Sequence, residues 1–202
     1  GSILCNSGTT GTTDPLIHIN SNASSSFIMS AGTIVLQKPN RTGSTIADFD
    51  LNGTAGTVNV TDGTVQFGNA STAAGAKFNF IPYSGIVQPN FKVSGPTAST
   101  VSLYTSYAST SDFKLLSLNI ESGKVFDINS ISGTAGATKT MMLTHNFDGI
   151  HGFYNDGTFT ARNSTVLMQA PEGQWIGGTA TTTFYKLSIN NPFGVSIGSP
   201  IN

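Results

Sequence analysis

A glycine returns along this chain about every thirty residues, each time beside a short run of β-forming residues. The clearest instances are Ala31-Gly32-Thr33-Ile34-Val35-Leu36, Asp62-Gly63-Thr64-Val65-Gln66-Phe67, Ser122-Gly123-Lys124-Val125-Phe126 and Asp156-Gly157-Thr158-Phe159-Thr160. Gly95 and Gly194 are weaker copies, and the six glycines are separated by 31, 32, 28, 34 and 37 residues. A period of that size marks a repeat architecture, in which each unit buries its apolar face mainly against its neighbours.

Between the glycines the apolar residues alternate with a period of two, as in Val58-Asn59-Val60, Val65-Gln66-Phe67, Phe78-Asn79-Phe80, Phe91-Lys92-Val93 and Leu187-Ser188-Ile189. This is the pattern of half-buried strands, and helix-period signals are nearly absent. Asn52-Gly53, Asp62-Gly63, Asp148-Gly149 and Asp156-Gly157 punctuate the runs with turn chemistry. Such dipeptides also serve antiparallel hairpins, so a β-sandwich is the competing fold. A sandwich has no thirty-residue period, whereas a parallel β-helix has both the short strands and the coil repeat. One internal match fits the same reading: residues 113–123 align without gaps on 184–194, with Phe, Leu, Ser, Asn and Gly positions identical, at an offset of 71 residues or about two coils.

The expected fold is therefore all-β, a right-handed parallel β-helix (β-solenoid) of about six coils of roughly 30 residues. The handedness follows from the general preference for right-handed parallel crossovers. Phe113, Leu116, Leu118, Val125, Phe184, Leu187, Ile189 and Ile197 are expected to point inward and stack between coils. Residues 1–13 read as a linker or chain end, and 14–202 as one solenoid domain belonging to a longer array.

Charged residues make up 9% of the chain, against roughly 25% in an ordinary soluble domain. The net charge is −1 with no basic run, which excludes the phosphate-neutralising surface that nucleic-acid binding needs. No window approaches eighteen apolar residues, so no membrane insertion is expected. Cys5 is the single cysteine, which rules out an intramolecular disulfide. Richness in Thr, Ser, Asn and Gly with little charge suits a bacterial surface protein.

The segment Thr181-Thr182-Thr183-Phe184-Tyr185-Lys186-Leu187-Ser188-Ile189-Asn190-Asn191 resembles a recurrent motif of large secreted Bacteroidetes cell-surface proteins, with a degenerate second copy at 112–125. The resemblance implies an extracellular repeat protein of the adhesin type, often exported by the type IX system. It also implies attachment to glycans, a surface receptor or a solid substrate.

Parallel β-helices include polysaccharide lyases and hydrolases, so candidate chemistry is weighed beside the adhesive reading. Asp48 and Asp50 flank Phe49 at i and i+2 on one strand face. With no His or basic residue close in sequence, they read as two solvated carboxylates beside an inward Phe49. The stretch 145–156 is chemically the richest, with His145, Asp148, His151, Tyr154 and Asp156. Its Ile150-His151-Gly152 is similar to part of the Gly-His-Gly signature of pectin-degrading hydrolases, with Ile150 in place of the first glycine. A decorated loop between coils is the favoured account of this stretch. Exposed aromatics are the usual sugar platforms, and Trp175, Tyr83, Tyr104, Tyr107 and Tyr154 are candidates, though each could instead cap the core. The candidate ligand-binding set is Trp175, Tyr154, His151, Asp148 and Asp156. No catalytic residue, cofactor or metal site is read from the sequence. A polysaccharide-binding or polysaccharide-cleaving β-helix is the alternative to a non-catalytic adhesive segment.

Overall fold

The computed structural model describes residues 1–6, 16–39, 47–105, 112–130, 138–198 and 200–202. Asp14, Tyr107 and residues 7–13 lie outside them. The described residues contain strands and no helix, and hence no helix long and apolar enough to cross a membrane.

The strands form three sheets in which every pairing is parallel. Sheet I stacks β1 (Ser2–Cys5), β3 (Phe27–Leu36), β5 (Val58–Phe67), β8 (Asn90–Val93), β11 (Leu118–Ile120), β14 (His151–Asn155), β17 (Gln174–Gly177) and β19 (Val195–Ile197) in that order. Sheet II stacks β2 (Ile17–Asn20), β4 (Phe49–Asn52), β6 (Lys77–Phe80), β9 (Ser102–Thr105), β12 (Val125–Ser130) and β15 (Thr158–Thr160). Sheet III stacks β7 (Val87–Gln88), β10 (Phe113–Leu115), β13 (Thr140–Leu143), β16 (Thr165–Met168) and β18 (Lys186–Ile189). From β8 to β17 the chain visits sheets I, II and III in strict rotation, a solenoid-like arrangement. Residues 2–5 of the expected linker form β1, paired in register with Thr33 to Leu36.

Alternation decides the core. In sheet I the column Ile34, Val65, Phe91, Leu118, Phe153 and Ile176 follows the strand registers and is buried throughout. A second column runs Leu36, Phe67, Val93, Ile120 and then Asn155, all fully buried. Asn155 is the polar exception, and its Nδ2 donates to Thr182 Oγ1 at 2.9 Å while its Oδ1 accepts the Gly157 N–H at 3.0 Å. Phenylalanines fill the centre: Phe91 lies 5.0 Å from Phe67 and 4.9 Å from Phe80 in edge-to-face contact. The ring series continues through Phe113, Phe126, Phe159 and Phe153 to Phe184. Each buried phenylalanine contributes roughly 1.5–3 kcal/mol of transfer free energy.

Several expectations are corrected by this register. Gly32 and Gly63 both take positive φ inside the ten-residue strands β3 and β5, where the pairing register shifts. Gly95, Gly123 and Gly157 instead sit in turns from sheet I to sheet II, and Gly194 just before β19. The recurring glycine therefore marks different structural positions. Along sheet I, register partners are separated by 31, 31, 26, 27, 35, 23 and 21 residues. The 113–123 and 184–194 segments are not equivalent either. Phe113 is reached from Leu187, not Phe184, through Met141 and Val166, three pairings away. Leu118 lies in sheet I and its aligned Ile189 in sheet III.

Phe113, Leu116 and Leu118 are buried as expected, and Phe184 and Leu187 pack partly against the core. Val125 is not the inward residue of its strand; the buried apolar positions are Phe126 and Ile128. Ile189 and Ile197 are 51% and 48% exposed because β18 and β19 are the edge strands of their sheets.

Asp48 and Asp50 are not solvated. They are 1% and 5% exposed. Asp48 Oδ2 accepts the Asn79 N–H at 2.8 Å. Asp50 accepts the Tyr83 hydroxyl at 2.9 Å and lies 2.7 Å from His18 Nδ1. His18 and Tyr83 are 32 and 33 residues away in sequence, so the coil stacking supplies the partners that local sequence lacks.

Candidate functional site: an aromatic patch on the outer face of sheet I

Four rings from three chain segments meet outside sheet I. The loop before β14 is closed by Asp148, whose Oδ1 accepts the backbone N–H groups of Ile150 at 3.1 Å and His151 at 2.7 Å. Gly149 takes φ 83° within this turn, a left-handed conformation that favours glycine. The other oxygen, Oδ2, lies 2.6 Å from His151 Nδ1. The Phe147 N–H donates to the His151 carbonyl at 3.1 Å, which folds the Phe147 ring over the imidazole, 5.8 Å centre to centre.

A register shift between His151 and Phe153 then sets His151 opposite Trp175. Bulges of this kind re-aim side chains. Trp175 lies between buried Gln174 and Ile176, so alternation turns its indole outward, where it is 43% exposed. The His151 ring makes edge contacts with Trp175 at 6.3 Å and with Tyr154 at 4.9 Å. Tyr154 pairs in register with Gly177, and Trp175 borders Gly198 in the next strand turn. Gly177 leaves Tyr154 without a side-chain neighbour on β17, while Trp175 has the small, exposed Ser196 in register on β19.

The support beneath is a set of buried amides. Gln174 Nε2 donates to the carbonyls of Leu143 and His145, both at 3.3 Å, and its Oε1 accepts from the Ala170 N–H and Asn191 Nδ2, both at 3.0 Å. Asn146 Nδ2 donates to the Gly173 carbonyl at 2.9 Å. His145 Nδ1 pairs with Glu172 Oε1 at 2.7 Å.

The electrostatics are acidic. Asp148 is partly desolvated, which raises its pKa. The hydrogen bonds and charge of His151, with the Ile150 N–H, more than offset this and hold the carboxyl below its ordinary value. Tyr154 is pushed up, first by the charge of Asp156, then by burial, a hydrogen bond to Asp156 and the charge of Asp148. Asp156 Oδ1 also accepts the Thr179 N–H and hydroxyl, both at 2.8 Å. Among the described residues no Lys or Arg is ion-paired to Asp148, Asp156 or Glu172.

Of the sequence candidates, the structure brings Trp175, Tyr154, His151 and Asp148 together, and Asp156 hydrogen-bonds Tyr154. Tyr83 is engaged with Asp50, and Tyr104 is half-buried in β9. Sequence reasoning missed Phe147, Gln174 and Gly177. A glycine inside a strand such as Trp175-Ile176-Gly177 is the local signal of a close approach that points to the last of these. Among the described residues no group of three His, Cys, Asp or Glu side chains is disposed to hold a metal ion. The arrangement offers flat apolar ring faces, an imidazole fixed by a carboxylate and flanking acceptors.

No protein family, curated protein or solved structure matches this chain.

Proposed function

We propose that the chain is a non-catalytic adhesive segment of a bacterial cell-surface protein, attaching to glycans through the Trp175–His151–Tyr154 patch. In this reading the three parallel sheets wind as a right-handed β-helix whose coils follow the register steps of sheet I. The winding sense rests on the general preference for right-handed parallel crossovers. The observation that carries the function is the patch itself. An exposed indole, a phenol and an imidazole meet on one outer sheet face, held by a buried amide network. A rigid flat surface of this kind loses little conformational entropy on binding a sugar ring. Single contacts of this type are weak, and strength comes from many sites along an array.

A pull-down on insoluble polysaccharides, paired with a glycan array, tests the proposal. Retention that Trp175→Ala abolishes, with the fold intact by circular dichroism, supports it. Absence of retention on every glycan, or retention unaffected by Trp175→Ala, overturns it.

A further inference from the structure

The charge around the patch narrows the sugar class. This step rests on the glycan reading above. Asp148 contacts the His151 ring and Asp156 borders Tyr154, and their partners in the described structure are His151 and Thr179 rather than Lys or Arg. The upward push on Tyr154 comes first from Asp156 and includes Asp148, so the negative potential is present at the phenol on the patch surface. The nearest lysine in the same outward row of sheet I is Lys92, two pairings from Tyr154 through Asn119 and already paired with Glu121 at 2.7 Å.

We infer that the patch selects glycans carrying a protonated amine, that is, amino sugars whose nitrogen is not acylated, over neutral and acidic sugars. The geometry gives each part of such a ligand a counterpart. The ring face stacks on Trp175, whose indole is 43% exposed. The ammonium lies over the electron-rich faces of Trp175 and Tyr154, where cation–π attraction operates. The carboxylates of Asp148 and Asp156 supply the complementary field. Gly177 leaves Tyr154 without a side-chain neighbour on β17, and the residue in register with Trp175 on β19 is the small Ser196. An acidic sugar meets the same field as repulsion, and an N-acetylated sugar retains the stacking but not the charge.

Trp175 is the single tryptophan of the chain, so intrinsic emission reports on this patch alone. The test titrates the full chain with a glucosamine oligosaccharide, its N-acetylated counterpart and an oligogalacturonide, following Trp175 emission. The expected order is free amine first, by about two- to fivefold over the N-acetylated form, with no binding of the acidic oligomer. The preference should shrink as salt is raised. Asp156→Asn should narrow it, while Tyr185→Ala, at an exposed aromatic immediately before β18 of sheet III, should leave it unchanged. Because emission requires Trp175, retention of Trp175→Ala on amine-bearing beads is measured in parallel and should be lost. Equal binding of the free and acetylated forms, or tighter binding of the acidic oligomer, overturns the charge inference and leaves the glycan reading standing. Absence of binding by all three probes and by the wider array overturns both.

Discussion

The His151 imidazole lies against the backbone of Gly177 on the neighbouring strand: a Cβ built on that glycine would sit 2.5 Å from His151 Cδ2 and 2.6 Å from Nε2. The same position would stand 3.1 Å from Tyr154 Cδ2. One missing methyl group is what lets two rings of the patch rest on the sheet.

Gly177→Ala should therefore displace His151, which Asp148 and Phe147 hold in place, and cost about 1–3 kcal/mol by overpacking. Gly198→Ala meets only ordinary contacts of 3.6 to 3.8 Å and should be nearly neutral. Urea denaturation of both variants, with the Trp175 emission maximum as a local readout, checks the contrast. Equal stability of the two would remove the packing argument for the patch.

Asp148 has a depressed pKa in the folded chain, so its interactions contribute stability above the unfolded carboxylate value near pH 4 and lose it as the pH falls through the folded value. Asp148→Asn should lower the melting temperature at neutral pH and flatten its decline below about pH 4. Melting curves of both proteins across the acid range read this directly. Parallel curves would show that the Asp148–His151 contact does not contribute.

Lys139 is 2% exposed, and its Nζ donates to Thr105 Oγ1 at 2.6 Å. Burial pushes its pKa down to about 8, partly countered by the charge of Asp127. The unfolded chain binds this proton up to about 10.5, so stability should rise with pH between those values, by about 3 kcal/mol at most. Tyr83 and Tyr154, whose phenols are held protonated, oppose this only above about pH 10. Lys139→Met should be more stable than the parent at pH 7 and should lack the rise. An unchanged slope would exclude Lys139 as its source.

Phe91 is 1% exposed and touches the rings of Phe49, Phe67 and Phe80. Phe91→Ala should cost about 3–5 kcal/mol, because three neighbours lose contact with it around one cavity. Phe193→Ala, at a position 65% exposed, should lie within about 0.5 kcal/mol of the parent. Chemical denaturation of the pair measures the difference.

Much of the candidate site was legible in the sequence as a list and little of it as a shape. The concentration of His and Asp at 145–156 and the lone Trp175 stood out by type. Their meeting depends on the His151–Trp175 pairing, which a register shift creates across 24 residues of chain. Asp48 and Asp50 make the same point in reverse. Nothing near them in sequence suggested partners, and Tyr83 and His18 arrive only through stacking.

The sequence by itself determined that this chain forms short strands separated by turns, because alternation and turn chemistry act over a few residues. It also determined that Phe113, Leu116 and Leu118 are core. Only the tertiary structure decided which strand lies on which. Alternating runs such as those at 113 and 184 look alike, so pairing is set by how whole columns fill the interior rather than by any local match. That choice put Phe113 in line with Leu187, left Ile189 and Ile197 on open edges, and laid the patch over Gly177.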